Sequence, residues 1–208
     1  QKKGKKMGKQ PLVSIITPSY NQGKYIRETI ESVLAQDYPN VEYIVVDGGS
    51  TDNTLDILNE YKDKLKFISE KDEGQSDAIN KGFKMAKGEI IAWLNSDDFY
   101  EPGCIRGAVK AFERDPELGF VYADGYILDE KTGKKYLFPE TLELDLWKLL
   151  NYSDYIMQPT TFFKKSCLEE VGYLDKNLNW VMDWDLWIRL SMHYKVEYIP
   201  QLFATTRE

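Results

Sequence analysis

The sequence contains little histidine and little cysteine. Its 208 residues include one histidine, His193, and two cysteines, Cys104 and Cys167, which form no Cys-x-x-Cys pair. His193 lies where a surface residue at a helix end is expected. A single histidine excludes a multi-histidine metal site, and two cysteines exclude a disulfide framework. Low cysteine usage favours a reducing, cytoplasmic setting. Chemistry is therefore expected to rest on carboxylates, hydroxyls or a hard cation.

Long apolar runs and glycine-rich phosphate motifs are absent as well. No stretch approaches eighteen consecutive apolar residues, and no apolar segment follows the lysine-rich start, so neither a membrane span nor a signal peptide is predicted. Neither G-x-G-x-x-G nor G-x-x-x-x-G-K-[ST] occurs, which disfavours dinucleotide and P-loop sites. A bound phosphate would then need a metal ion. The end at Arg207-Glu208 lacks a clear cap, and further residues are expected to follow it.

Charge is unevenly distributed along the chain. There are 27 basic and 34 acidic residues, a net charge of −7, but the first ten residues hold five lysines and no acid. Residues 11–208 therefore carry 22 basic and 34 acidic side chains, a net charge of −12. This acidic body argues against a nucleic-acid binder. The basic segment 1–10 is expected to be a disordered tail, and it could place the chain peripherally at the inner face of an acidic membrane.

Short apolar runs alternate with helical patterns in the first half. Apolar residues spaced three and four apart predict a helix after each of the first three strands. This β-α-β-α-β-α-β order predicts an α/β fold with a doubly wound, mostly parallel sheet and ligands at the carboxyl ends of its strands. The predicted strands are Leu12–Thr17, Val41–Val46, Leu65–Ser69 and Glu89–Leu94.

The second half is less regular. Two apolar triplets flank Asp129–Lys135 and predict an exposed hairpin turn. Helices are predicted over Leu142–Leu150 and Asp183–Tyr194. Thr160–Lys164 is expected to be extended, and Val196–Thr206 is expected to form one or two edge strands.

Polar loops follow strands one, two and four. Because the carboxyl ends of parallel strands meet at one edge of a sheet, these loops are expected to line one crevice. No linker divides the chain, so residues 11–208 are predicted to form one domain, in which residues 11–98 bind the ligand and residues 99–208 complete the site. The three loops are Thr17–Asn21, Asp47–Ser50 and Asn95–Asp98.

Asp97, Asp98 and Asp47 each allow two interpretations. Of the adjacent pair Asp97 and Asp98, one is expected to bind a metal and the other to hold the loop, but a simple turn after a strand would explain both. Asp47 could accept hydrogen bonds from a nucleoside, or it could only stabilise the tight turn Asp-Gly-Gly-Ser.

A helical segment near the end of the chain offers a further carboxylate. Asp185 and Arg189 are spaced for an ion pair on the helix surface. Asp183 is either the N-cap of this helix or a general base, since the neighbouring Trp180, Trp184 and Trp187 would raise its proton affinity and suit a sugar ring.

Taken together, seven segments resemble glycosyltransferase family 2, in the order and spacing of that family. Each segment alone is weak evidence, but the ordered set is specific and covers nearly the whole chain from Pro11. The segments are Val13–Asn21, Val45–Asp52, Asp77–Gly82, Trp93–Asp98, Gln158–Phe163, Gly172–Asp175 and Met182–Trp187.

This resemblance implies a GT-A fold, Rossmann-like with a smaller acceptor-side region. It implies an inverting transfer of a sugar from a nucleoside-diphosphate sugar, with UDP as the default nucleotide, to a hydroxyl of a glycan or lipid-linked acceptor. It also implies Mn²⁺ or Mg²⁺ on the diphosphate and a role in cell-envelope polysaccharide synthesis. By position, Asp183 is the catalytic base and Asp97 the metal ligand. The positions implied for the nucleotide-sugar are Thr17, Pro18, Ser19, Tyr20, Asp47, Asp77, Asn95, Ser96 and Asp97, and those for the acceptor side are Asp98, Gln158, Trp180 and Trp184.

Two positions depart from the family pattern. Asn95 stands where an aspartate is usual, and Met182 stands before the base where a glutamate is often found. These departures motivate the alternative of a nucleotide-sugar-binding subunit without turnover. A sugar-phosphate nucleotidyltransferase is the other alternative, although the loop Pro18–Asn21 lacks the glycine and basic residues that a triphosphate requires.

Overall fold

The structure is a computed structural model that describes residues 10–178 and 180–208. The lysines of the predicted tail, in residues 1–9, lie outside the described residues. Cys104 and Cys167 are both buried and unpaired. Every helix in the described ranges is too short or too polar to cross a membrane.

The first half forms the parallel sheet that the sequence pattern predicts. The strands are β1 (Val13–Ser19), β2 (Val41–Asp47), β3 (Lys66–Ser69) and β4 (Ile90–Trp93), and the helices between them are α1 (Ile26–Leu34), α2 (Thr54–Glu60) and α3 (Gln75–Met85). The spatial order is β3-β2-β1-β4, with all three pairs parallel. Ser19 lies opposite Asp47, so the loops after β1 and β2 begin side by side.

Side chains of these strands alternate between two apolar layers. Along β4, Ile90 and Ala92 belong to one buried cluster and Ile91 and Trp93 to the other. α1 and α2 contribute to the first cluster and α3 to the second. Because helices cover both faces, apolar residues occupy consecutive strand positions, as in Tyr43–Val46 and Ile90–Trp93, rather than every second one.

The second half extends the sheet with strands of both directions. The strands are β5 (Phe99–Tyr100), β6 (Leu118–Asp129), β7 (Lys134–Leu137), β8 (Phe162–Lys164) and β9 (Lys195–Arg207). The sheet continues from β4 in the order β8-β6-β9-β5, and β7 pairs with β6, which confirms the predicted hairpin. The prediction of edge strands over Val196–Thr206 is wrong near the end of β9, because β5 pairs with Ala204 and Thr205 on the side opposite β6.

The helices of the second half are α4 (Cys104–Arg114), α5 (Leu146–Asn151), α6 (Lys165–Val171) and α7 (Met182–His193). α5 begins later than predicted because Asp145 caps it, accepting the Lys148 N–H at 3.0 Å. A short 3₁₀ turn, Gln158–Thr160, precedes β8, so the extended segment begins after Thr160. α6 was not predicted, because it buries only Cys167 and Leu168.

Candidate active site

Asn21 ties the loops after β1 and β2 together. It adopts a left-handed backbone conformation with φ 54°, which asparagine tolerates better than most residues. Its N–H donates to the Ser50 hydroxyl at 2.7 Å, and its side-chain oxygen accepts the Thr51 N–H at 2.8 Å. On the same loop, the Tyr20 ring is 59% exposed. The buried Ser19 hydroxyl has no hydrogen-bond partner among the described residues, so this loop offers a ligand an aromatic face and a hydroxyl.

The Asp47 carboxylate is buried and accepts four hydrogen bonds from the protein. Oδ2 accepts the N–H groups of Gly49 and Ser50, at 3.1 and 2.9 Å, and the Ser69 hydroxyl at 2.6 Å. Oδ1 accepts the Ser50 hydroxyl at 2.5 Å. These contacts stabilise the tight turn Asp-Gly-Gly-Ser, while Oδ1 accepts only one described donor and keeps a second acceptor site.

Thr17 and Ser96 lie behind the loops. Both are buried, and the Thr17 hydroxyl shares a 3.1 Å hydrogen bond with the Tyr43 hydroxyl. The Thr29 hydroxyl of α1 lies 2.9 Å from the Ser96 carbonyl and 2.7 Å from the Asp98 carbonyl. The Thr29 hydroxyl therefore supports the loop after β4 through two of its carbonyls.

Asp97 and Asp98 have different surroundings. Asp97 is half-buried, and no described donor bonds to its carboxylate. Asp98 is 3% exposed; its Oδ1 accepts the Thr206 hydroxyl at 2.7 Å, and burial raises the pKa of Asp98 to about 7. Asp98 was predicted on the acceptor side, and the structure places its carboxylate against the end of β9. Asp98 holds the loop and Asp97 remains free to bind a cation.

The first residues of α3 connect the loop after β4 to the start of α7. The Gln75 amide donates to Asn95 Oδ1 at 2.9 Å, and the adjacent Ser76 hydroxyl lies 2.8 Å from the Met182 sulfur. Met182 is buried, so a neutral thioether suits this position. Asn95 is two residues from Asp97 and Met182 is next to Asp183, so the start of α3 contacts the two segments that carry these carboxylates.

Near the start of α3, two residues predicted to contact a ligand bond to other side chains of the protein. Asp77, in the first turn of α3, pairs with Lys81 at 3.4 Å and Lys176 at 3.3 Å. Gln158, predicted on the acceptor side, accepts the Asn95 side-chain N–H at 3.2 Å and so lies beside the loop after β4.

Asp183 lies in the first turn of α7. The residue before the helix is Val181, so the N-cap interpretation of Asp183 is wrong. Burial raises the pKa of the Asp183 carboxyl even though the Trp184 N–H donates to it at 2.9 Å. A half-buried carboxylate with a raised pKa has the proton affinity that a general base needs.

Asp154 is a second carboxylate near this position that the sequence patterns did not identify. Burial raises the pKa of Asp154 to about 7, and the negative charges of Asp183 and Glu140 add to the rise, while the Ile156 N–H, 3.0 Å from Oδ1, opposes it. No motif marked Asp154, because its relation to Asp183 arises only from the packing of α5 against α7.

The three tryptophans near Asp183 have different roles. Trp180 is 94% exposed. Trp184 is half-buried and donates its indole N–H to the Leu149 carbonyl of α5 at 2.8 Å. Trp187 is buried and stacks on Phe120, with ring centroids 4.9 Å apart. Trp187 therefore anchors α7 in the core, and only Trp180 offers a free aromatic face.

Two expectations for the remainder of α7 are confirmed. Asp185 and Arg189 form an ion pair at 2.7 Å, and the Arg189 guanidinium also donates to the Val171 and Gly172 carbonyls. His193 is exposed in the last turn, with Nδ1 2.8 Å from the Arg189 carbonyl.

Few side chains are available to a cation. No group of three His, Cys, Asp or Glu residues that could hold a metal occurs within residues 10–178 and 180–208. Asp97 fits a hard cation because its carboxylate is free, but further oxygens would have to come from a ligand and water. A separate cavity of about 320 Å³ lies along α4 and β9 and contains none of the predicted site residues.

Family comparison agrees with the ordered motifs. The family model for glycosyl transferase family 2 matches residues 14–172. The chain belongs to glycosyltransferase family 2.

The chain is similar in sequence to other bacterial glycosyltransferases. It is 36% identical over 208 residues to an uncharacterized glycosyltransferase of Rickettsia typhi, covering 95% of this chain and 64% of that protein. It is 28% identical over 201 residues to the poly-β-1,6-N-acetyl-D-glucosamine synthase of Staphylococcus epidermidis, covering 91% of this chain and 48% of that protein. The chain thus spans less than two thirds of the length of these relatives.

Solved structures show the same fold. S. aureus TarS 1–349 in complex with UDP-GlcNAc superimposes with a TM-score of 0.78 at 22% identity, covering 95% of this chain and 58% of that one. The mannosyltransferase PcManGT of Pyrobaculum calidifontis, in complex with GDP-Man and Mn²⁺, superimposes with a TM-score of 0.73 at 21% identity, covering 96% and 57%. The expected GT-A fold is confirmed.

Proposed function

We propose that this chain is an inverting glycosyltransferase that moves a sugar from a nucleoside-diphosphate sugar to a hydroxyl of a glycan or lipid-linked acceptor. The observation that carries the proposal is the arrangement around the start of α3, where Gln75 contacts the Asp97 loop and Ser76 contacts the start of α7 beside Asp183. The start of α3 thus contacts both the segment with a free carboxylate for a cation and the segment with a carboxylate of raised proton affinity.

Asp183 is the proposed base. Inversion requires a base on the face of the sugar opposite the leaving diphosphate, and the burial that raises the Asp183 pKa suits it to take the proton of an acceptor hydroxyl. Trp180, exposed nearby, offers its face to the acceptor sugar. No carboxylic acid is needed to protonate the leaving group, as it would be in a glycosidase, because a diphosphate leaves with its charge neutralised.

Asp97 is the proposed cation ligand. A bound Mn²⁺ or Mg²⁺ would absorb the charge that develops on the leaving diphosphate. Asp97 supplies a free carboxylate, and the loop Pro18–Tyr20 supplies an exposed aromatic face for the base of the nucleotide. UDP is the proposed nucleoside diphosphate, supported by the TarS complex with UDP-GlcNAc, and a glycan acceptor is supported by the similarity to a poly-β-1,6-N-acetyl-D-glucosamine synthase.

The proposal is tested by release of nucleoside diphosphate from a panel of nucleotide-sugars with Mn²⁺, with and without glycan acceptors. Asp183→Asn is expected to lower turnover by about 100-fold or more while nucleotide affinity stays within about twofold, since general-base catalysis contributes that much. Asp56→Asn, at an exposed aspartate in the first turn of α2, is the matched control and should keep full turnover. Full activity of Asp183→Asn would remove Asp183 from the mechanism.

A further inference from the structure

Three amide side chains from distant parts of the chain meet at the loop after β4. Gln75 begins α3, Asn95 follows β4, and Gln158 lies in the 3₁₀ turn before β8. The Gln158 amide nitrogen is 2.9 Å from the Trp93 carbonyl, its oxygen is 3.2 Å from the Asn95 nitrogen, and the Asn95 oxygen is 2.9 Å from the Gln75 nitrogen. The three amides form one continuous chain of hydrogen bonds.

The direction of this chain is set by the backbone. The Trp93 carbonyl can only accept a hydrogen bond, so the Gln158 atom facing it must be the NH₂ group. Gln158 therefore turns its oxygen to Asn95, Asn95 must present its NH₂ group there, and the Asn95 oxygen must point to Gln75. Rotating the Asn95 amide by half a turn would oppose oxygen to oxygen and nitrogen to nitrogen.

An aspartate would not fit at position 95. One of its oxygens would face the Gln158 oxygen and also Asp98 Oδ2, which lies 3.5 Å from the Asn95 nitrogen. The Gln158 oxygen and an aspartate oxygen can both only accept, so no hydrogen bond could form between them. Gln158 could not restore the hydrogen bond by rotating, because its oxygen would then face the Trp93 carbonyl.

We infer that Gln158 is a positioning residue of the donor site, which acts through Asn95 and makes position 95 a site for an amide rather than a carboxylate. The inference rests on the proposed function, because it places Gln158 on the nucleotide side instead of the acceptor side. The loop after β4 then presents one carboxylate, Asp97, beside a neutral amide of fixed orientation.

The inference is tested by a double-mutant cycle on nucleotide affinity. Calorimetry with Mn²⁺ and the nucleoside diphosphate that the wild-type chain prefers among UDP, GDP, CDP and ADP is applied to Gln158→Ala, Asn95→Ala and the double variant. Gln158→Ala is expected to weaken affinity about tenfold in the wild-type background and less than about twofold when Asn95 is already alanine, because the lost hydrogen bond acts through Asn95. Gln201→Ala, at an exposed glutamine of β9, is the matched control and should change nothing.

Two further measurements separate the outcomes. Asn95→Asp, which hardly changes shape, is expected to weaken the affinity for Mn²⁺ with the nucleotide although it adds a carboxylate. In NMR spectra of the nucleotide-free chain, the Asn95 side-chain NH₂ signals should shift and lose protection from exchange in Gln158→Ala but not in Gln201→Ala.

The inference is overturned if Asn95→Asp tightens binding, if Gln158→Ala weakens binding equally in both backgrounds, or if Gln158→Ala changes only the KM for the acceptor. Failure of the wild-type chain to bind any of the four nucleotides would instead overturn the proposed function, and the NMR comparison would still decide whether Gln158 orients Asn95.

Discussion

At the scale of single residues, the candidate base is one member of a carboxylate pair. Burial raises the pKa of both Asp183 and Asp154, and the charge of Asp183 helps to raise the pKa of Asp154 to about 7. The first proton to leave the pair on raising the pH therefore belongs mainly to Asp183 and the second mainly to Asp154.

This pairing predicts a pH profile with two steps. As the pH rises, kcat/KM should first increase when Asp183 ionises, above the ordinary aspartate value of 3.8, and should increase again near pH 7, when the charge of Asp154 strengthens the base. Asp154→Asn mimics the protonated residue, so it should keep the first step and lose the second. Steady-state rates between pH 4 and pH 9 provide the measurement.

Stability gives a check that does not depend on turnover. Because the folded-state pKa of Asp154 lies above its ordinary value, the folded chain keeps a proton that the unfolded chain has lost, and its stability should fall as the pH rises from 3.8 to about 7. The free energy of unfolding of Asp154→Asn should fall less over that interval. Equal pH dependence of the two proteins would contradict the raised pKa of Asp154.

Asp97 is the one carboxylate proposed to bind the cation, so we expect the cation and the nucleotide to bind together. With one free carboxylate and no cluster of three acidic, cysteine or histidine side chains in the described ranges, the chain alone should bind Mn²⁺ only weakly. Asp97→Ala should weaken UDP binding in Mn²⁺ by about tenfold or more, equivalent to about 1.4 kcal/mol. EDTA should weaken UDP binding by the wild-type chain as much as Asp97→Ala does. It should leave UDP binding by Asp97→Ala unchanged.

Calorimetric titrations with Mn²⁺ alone, UDP alone and both together make this comparison. Asp63→Ala, at an exposed turn, is the matched control. Tight binding of Mn²⁺ without nucleotide would mean that the cation site lies elsewhere.

At the scale of elements, β9 supports the candidate site from the far end of the chain. The Thr206 hydroxyl near the end of β9 donates to the buried Asp98 carboxylate at 2.7 Å, across 108 positions of sequence. The same strand pairs with β6 and β5, so it ties the loop after β4 to the sheet of the second half.

Thr206→Val should destabilise the fold by about 1–3 kcal/mol, because it leaves a buried carboxylate without its hydroxyl donor at nearly constant side-chain volume. Thr132→Val removes a similar hydroxyl–carboxylate bond, to Asp129, in the exposed hairpin, and should cost less than about 0.5 kcal/mol. Urea unfolding followed by fluorescence measures both. Equal losses for the two variants would show that burial of Asp98 does not matter.

At the scale of the whole molecule, the distribution of charge separates the candidate site from the tail. Residues 11–208 carry a net charge of −12, whereas residues 1–10 hold five lysines. A nucleoside diphosphate is repelled by such a body unless a cation accompanies it. The lysines can instead attract an anionic surface.

Removal of residues 1–9 is therefore expected to abolish binding to vesicles that contain anionic lipid, since each lysine contributes about 1 kcal/mol at low salt. Affinity for UDP with Mn²⁺ and the free energy of unfolding should not change. Vesicle sedimentation with anionic and with neutral lipid makes the comparison. Retained binding of the shortened chain to anionic vesicles would place the contact on the acidic body.

The sequence by itself determined the alternation of elements in the first half, because apolar period and turn residues are local signals that both layers of the sheet reinforce. It also led to Asp97 and Asp183 as candidates, through the ordered motifs that resemble the family. Only the tertiary structure decided that Asp47 accepts four protein donors, that Asp98 bonds to β9, that the charge of Asp183 acts on Asp154, and that Gln158 bonds to Asn95. These last features depend on burial and on contacts between residues far apart in the chain, such as the 63 positions between Asn95 and Gln158, and no local pattern of residues encodes them.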